Sequence, residues 1–155
     1  MILPFETRVK VRFGDVDAAG IVFYPRYFEI LNTAVEDWCE HVLEVDYRAM
    51  HVVQRWGIPV VDIAATFAAP SRLGDDLIVR IIPQSLGRSS CRLAAEFSCR
   101  GEKRLSMTLV VVCTDLTRMT SMPWPEHVRP RIEAGLAAGV PGGSPDEGSE
   151  KEPGL

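Results

Sequence analysis

The chain has 155 residues, a hydrophobic fraction of 46% and a formal net charge of −4. That length fits one domain able to bury roughly 70% of its unfolded surface, and the lack of a Lys/Arg block argues against nucleic acid or an anionic membrane as partner. No run of about 18 apolar residues marks a membrane-spanning helix, and residues 1–8 lack the basic and apolar regions of a signal peptide, so a cytoplasmic protein is expected.

Residues 5–13 alternate. Phe5, Thr7, Val9, Val11 and Phe13 fall on one face, and Glu6, Arg8, Lys10 and Arg12 on the other, which predicts a half-buried strand ending at Phe13. Gly14 to Gly20 reads as a loop carrying Asp15 and Asp17. From Tyr24 or Pro25 to about His41 the period is helical, with Tyr27, Ile30, Leu31, Ala34, Val35, Trp38 and Val42 on one broad apolar face. Pro25 suits the first helical position, and no Ser, Thr, Asp or Asn stands at the expected cap. The first N–H groups of this helix are therefore open to a ligand oxygen or to water.

A short helix is expected from Tyr47 to Trp56. Four strands come after it. They run over Pro59–Phe67, Leu77–Pro83, Arg88–Cys99 and Leu105–Thr114, with turns at Pro70–Asp76, Gly87 and Arg100–Lys103. The continuous Val110-Val-Val112 suggests a central strand buried on both faces. A last short helix spans Glu126–Ala138, limited by Pro130. One domain over residues 1–135 and a disordered tail over 136–155 result.

Strand, long helix and four sequential strands make an α+β fold in which an antiparallel sheet covers the helix. The other sheet face meets water or a second subunit. Cys39, Cys91, Cys99 and Cys113 form no Cys-x-x-Cys pair and read as reduced, buried thiols.

The chain has no Gly-x-Ser-x-Gly elbow, no P-loop and no Gly-x-Gly-x-x-Gly. His41, His51 and His127 show no metal-ligand spacing. What remains is a loop with two acids running into a helix start, where a carboxylate meets the positive end of a helix dipole. Such an Asp-x-Asp turn also forms simply to hydrogen-bond its own backbone.

The stretch Phe13-Gly-Asp-Val-Asp-Ala-Ala-Gly-Ile-Val-Phe-Tyr-Pro-Arg-Tyr27 closely resembles the corresponding motif of the 4-hydroxybenzoyl-CoA thioesterase family, acyl-CoA thioesterases of the hotdog fold. The order of Ile58-Pro59-Val60-Val61, Gly74-Asp75-Asp76-Leu77, Gly87-Arg88-Ser89-Ser90 and Val110 to Cys113 follows that family over residues 5–132. The resemblance implies a five-stranded antiparallel sheet wrapped around one long central helix. It implies homodimers pairing into homotetramers, with active sites between subunits. It also implies hydrolysis of an aromatic acyl-CoA such as hydroxybenzoyl-CoA, or of a short acyl-CoA, without a cofactor, since coenzyme A is part of the substrate.

By position, Asp17 matches the catalytic carboxylate, as nucleophile or as general base, and Asp15 becomes the acid that structures the loop. Tyr24 matches the residue whose backbone N–H polarises the thioester carbonyl, helped by backbone on the Gly20 side. Phe23, Tyr24, Tyr27 and Trp56 are candidates for the acyl pocket, although Tyr27 also belongs to the apolar helix face. Asp62 faces solvent, caps a turn or contacts the acyl group. Arg88, with Ser89 and Ser90, lies where the family binds coenzyme A phosphates, and Arg100, Lys103 and Arg104 are either helpers or solvated hairpin residues. The competing reading is a non-catalytic protein that binds acyl-CoA or acyl carrier protein on the same fold. A hotdog dehydratase ranks below both, because no His occurs in the loop or at the helix start.

Overall fold

A computed structural model of the chain describes residues 3–138. In chain order these form β1 (Phe5–Lys10), α1 (Pro25–His41), β2 (Trp56–Gly57), β3 (Val60–Phe67), β4 (Asp76–Leu86), β5 (Ser90–Cys99), β6 (Glu102–Val112), β7 (Thr114–Asp115), β8 (Thr120–Ser121) and α2 (Arg129–Ala138). Residues 139–155 of the expected tail lie outside the described residues, and α2 carries regular structure to Ala138, three residues past the expected boundary.

The main sheet has five antiparallel strands in the order β1-β4-β5-β6-β3. Its period-two pattern puts Leu77, Val79 and Ile81 of β4, Leu93, Ala95 and Phe97 of β5, and Leu105, Met107, Leu109 and Val111 of β6 on one inner face. None of these exposes more than 1% of its surface. The 17-residue α1 brings Tyr27, Ile30, Leu31, Ala34, Val35, Trp38 and Cys39 to the same core, and α2 adds Ile132. The fold is thus α+β. Its first helix starts at Pro25, whose missing N–H costs nothing there.

Three expectations change. β1 ends at Lys10, not Phe13. Residues Phe13–Asp15 wind into a 3-10 turn, and Phe13 is 83% exposed, because the chain leaves the sheet to build the Asp15/Asp17 loop. The helix expected over Tyr47–Trp56 contracts to a π-turn at Ala49–Val53, and Trp56 starts a two-residue strand paired with β7. β6 lies one strand from the edge, and β5 is the centre. Val111 is fully buried, whereas Val110 and Val112 are only half-buried on the outer face. Three consecutive valines therefore mark an outer face that is partly covered, not a strand buried on both sides.

Three bulges interrupt the ladders of the main sheet, and the one between β4 and β5 leaves Gln84 extra, since Pro83 pairs Leu93 and Ser85 pairs Arg92. Between β5 and β6, Phe97 pairs Leu105 and Ser98 pairs Lys103, so Arg104 has no partner and joins Leu105 on the buried face. Between β3 and β6, Val60 pairs Val111 and Asp62 pairs Val110, which leaves Val61 extra on the edge strand.

All four cysteines are free and buried. Burial, with the nearby Glu36 and Glu40 carboxylates adding to it, pushes the Cys39 thiol up to about 12. Burial alone pushes Cys91 to about 12 and Cys113 to about 11. A thiol-reactive dye at pH 8 is expected to label none of the four in the native protein and all four in guanidinium. Fast labelling of the native protein would contradict this packing.

Candidate functional site

The loop between β1 and α1 folds back on itself as a small irregular hairpin. Val16 bridges Val22, the Asp17 N–H donates to Ile21 O at 2.9 Å, and the Phe23 N–H donates to Asp15 O at 2.9 Å. Gly20 turns the chain at φ +78°, a conformation that glycine adopts without steric cost. Asp17 and the start of α1 are thereby held on adjacent arms of one structure.

The two acids are used differently. Asp15 accepts the Arg12 N–H on its Oδ2 at 2.8 Å and closes the 3-10 turn, so it structures the loop. Asp17 is exposed and accepts the Ala19 N–H on Oδ1 at 2.8 Å. Among the described residues its Oδ2 has no partner. The Gly20 N–H donates to Asp17 O at 2.9 Å. The N–H groups of Ala19 and Gly20 are therefore committed to Asp17, and the Gly20 side supplies neither of them to a substrate oxygen.

At the start of α1, the Arg26 N–H donates to Phe23 O at 2.8 Å and the Tyr27 N–H to Tyr24 O at 3.2 Å. Among the described residues no side chain caps the helix. Pro25 has no N–H, and among the described residues the Tyr24 N–H has no acceptor. A free donor at the positive end of a 17-residue helix is suited to an oxygen that gains negative charge.

A cavity of about 360 Å³ opens between α1 and the edge of the sheet. Phe28, Asn32 and Val35 line it from the helix, Val60 and Ile63 from β3, and Tyr47 closes one side. Tyr24, Phe28 and Asn32 follow one another at four-residue steps, so they share a helix stripe. At 1.5 Å per residue, Phe28 is about 6 Å and Asn32 about 12 Å along the axis from Tyr24. The α1 wall of the cavity therefore lies on the same stripe as Tyr24.

The other expected residues fall into three groups. Phe23 and Tyr24 are exposed and meet edge to face at 5.6 Å beside the loop. Tyr27 is a core residue, 4% exposed, between Phe67 and Phe97 at 5.9 Å each. Trp56 is also buried, and its indole N–H donates to Gln54 Oε1 at 2.9 Å. The structure does not bring Tyr27, Trp56 or the exposed Asp62 to the cavity. Its own lining residues Phe28 and Asn32 carried a signal, the four-residue spacing from Tyr24. Tyr47, Val60 and Ile63 carried none, since only tertiary packing assembles them. Arg88 is exposed, with Ser89 and Ser90 half-buried, at the bend between β4 and β5.

Arg104 is neither a helper at the bend nor a solvated residue. The β6 bulge turns it inward to 8% exposure, where Nη1 donates to Asp75 Oδ2 at 2.7 Å and to Pro70 O at 2.9 Å. The Arg72 N–H donates to the same Asp75 oxygen at 2.9 Å. That hydrogen bond first, and then the Arg104 bond and charge, hold the Asp75 carboxyl below the usual carboxylate range against the opposing effect of burial. The turn so fixed supports the loop. Ser71 O accepts the Val22 N–H at 2.9 Å, Ile21 bridges Arg72, and Asp75 O accepts the Val11 N–H at 2.8 Å.

Among the described residues no three His, Cys, Asp or Glu side chains converge as metal ligands, and no helix is long and apolar enough to cross a membrane.

The profile of the thioesterase-like superfamily matches residues 11–132. A 1,4-dihydroxy-2-naphthoyl-CoA hydrolase of Prochlorococcus marinus is 28% identical over 133 residues, 81% of this chain and 86% of the relative. A solved gentisyl-coenzyme A thioesterase is 28% identical, with a TM-score of 0.74 over 81% of this chain and 99% of its own. A thioesterase-superfamily structure from Jannaschia sp. has a TM-score of 0.80 at 22% identity, covering 86% and 93% of the two chains, and speaks to the fold alone.

Replacing Arg104 with Met strands the Asp75 carboxylate and is expected to cost about 3–5 kcal/mol in urea unfolding. A folded pKa held below the unfolded value contributes stability that is complete above the ordinary carboxylate range. That stability is lost as pH falls through the folded pKa. The difference in urea midpoint between wild type and Asp75→Asn should thus be large at pH 7 and shrink below about pH 4. An equal difference at pH 3 and pH 7 would refute the ionic role.

Proposed function

Because the chain belongs to the thioesterase-like superfamily and is an acyl-CoA thioester hydrolase, we propose that it cleaves a hydroxylated aromatic acyl-CoA at the Asp17 loop and the start of α1. The observation that carries this reading is a pair of groups in one small hairpin that the fold leaves unspent: the Asp17 Oδ2 and the Tyr24 N–H. A protein that merely bound acyl-CoA would have no use for a free carboxylate there.

The thioester oxygen accepts from the Tyr24 N–H, which strengthens its hold as negative charge builds in the tetrahedral intermediate. One such donor is worth about 3–4 kcal/mol of barrier. Asp17 has two routes. As nucleophile its oxygen bonds to the acyl carbon, the C–S bond breaks, and coenzyme A leaves as thiolate. Water then hydrolyses the mixed anhydride and restores the carboxylate. As general base it takes a proton from a water that attacks the same carbon. Both give free acid and coenzyme A.

The acyl group occupies the cavity between α1 and β3. Apolar Phe28, Val35, Val60 and Ile63 suit a ring, and Asn32 and Tyr47 offer hydrogen-bonding groups to ring substituents. The relatives named for naphthoyl and gentisyl esters, and the resemblance to 4-hydroxybenzoyl-CoA thioesterases, point to the same substrate class. The pantetheine arm carries the phosphates to the exposed Arg88. We assign the homodimer seam to β3, an edge strand that exposes Val60, Val61, Ile63 and Phe67 together with its open backbone groups. A second copy there borders the cavity mouth, and dimers pair further into tetramers.

Asp17→Asn keeps an oxygen for the Ala19 N–H and so keeps the loop. It is expected to lower kcat by about 10²- to 10⁴-fold, measured by thiol release from gentisyl-, dihydroxynaphthoyl-, hydroxybenzoyl- and short aliphatic CoA esters. The wild type should favour the aromatic esters. Near-normal turnover by the variant would remove Asp17 from the reaction. Val61→Lys should sediment as a smaller species than wild type; an unchanged sedimentation coefficient would move the seam off β3.

A further inference from the structure

Two hairpins in the main sheet have short connections, and they are held in opposite ways. Between β5 and β6, Arg100 and Gly101 take φ +52° and +76°, the conformation that closes such a turn by itself. Between β4 and β5, Leu86 pairs Cys91 and the Gly87 N–H donates to Ser90 O at 2.8 Å. Neither Arg88 nor Ser89 has a positive φ. The return bond from the Ser90 N–H to Gly87 O is not made. Gly87 O accepts Arg129 Nη1 instead, at 3.0 Å.

The rest of this bend is also fastened from outside. Arg88 O accepts the Trp124 N–H at 3.2 Å, and Ser89 O accepts the Cys113 N–H at 2.6 Å. Ser90 O accepts the Trp124 indole N–H at 3.2 Å. Trp124 is 4% exposed, and Val128 and Ile132 behind it are fully buried, so the clamp is anchored in the core. Space is tight as well. A Cβ on Gly87 would lie 2.6 Å from Ser90 Oγ.

In a trans peptide the C=O and the following N–H point in opposite directions. With the carbonyls of Gly87 and Arg88 tied to Arg129 and Trp124, the N–H groups of Arg88 and Ser89 point away from those partners. Among the described residues neither has an acceptor, and Arg88 makes no ion pair. Two successive N–H groups without an acceptor beside an exposed guanidinium are donors suited to the oxygens of an anion.

Resting on the coenzyme A reading of this bend, we infer that Trp124 and Arg129 are positioning residues. By holding the 87–90 carbonyls they turn the bend into a phosphate cradle. They act through the bend and touch no substrate.

Calorimetric titration of coenzyme A and of pantetheine, which lacks the phosphates, into wild type, Arg129→Gln and Trp124→Phe tests this. Wild type is expected to prefer coenzyme A by at least about tenfold, and each variant to reduce that preference by about five- to tenfold. The Arg129 side chain is 40% exposed, so Arg129→Gln carries the test even where Trp124→Phe misfolds. Equal weakening of both ligands, or no change in either, would overturn the positioning role. The hydrolase reading fails separately. A wild type that releases no thiol from any ester, yet loses its coenzyme A preference in the variants, would retain the cradle and lose the reaction.

Discussion

The Asp75 carboxylate sits where three stretches of chain far apart in sequence meet. It takes the Arg104 guanidinium from the β6 bulge and the N–H of Arg72 from its own turn, while its backbone carbonyl takes the Val11 N–H from the end of β1. A charge pair this deep is not a cheap source of stability, because desolvation offsets most of the attraction. Its value is geometric. It fixes the 70–75 turn against β6, and that turn holds Ile21 and Val22. Those two residues in turn set where the Asp17 loop ends and α1 begins. Remove the pair and the two groups of the site lose their common frame.

Much of this architecture is legible in the sequence, because it rests on periodicity. The α1 stripe from Tyr27 to Trp38 and the alternation in β4, β5 and β6 each encode a buried face, and the order of elements leaves little besides an antiparallel sheet over a helix. The features that elude such reading are irregular. A bulge shifts register by one residue, so Arg104, which reads as part of a polar hairpin, turns inward. Phe13 continues an alternation whose backbone has already left the sheet. The valines of β6 look fully buried because half-cover on the outer face selects the same residue types.

The site divides in the same way. Asp17, Asp15 and Tyr24 lie within ten residues of one another, and a local motif is enough to find them. The cavity draws on α1, β3 and Tyr47, which meet only in three dimensions, so Tyr27 and Trp56, plausible as aromatic residues, belong to the core instead. The bend at Arg88 is intermediate. Its sequence marks a turn, but its shape is imposed by Trp124 and Arg129 from the far end of the domain. Local signals supply the groups proposed to react, and long-range packing shapes the cavity and the bend beside them.

The proposed site requires one continuous surface from the Asp17 loop, past the Tyr24 N–H, into the cavity between α1 and β3. The most direct measurement is a crystal structure with a gentisyl-CoA analogue in which a methylene replaces the thioester sulfur. The expected result is a ketone oxygen within hydrogen-bonding distance of the Tyr24 N–H, the carbonyl carbon facing Asp17, and the ring between Phe28 and Val60. A ketone bound away from the start of α1, or a ring outside that cavity, would contradict it.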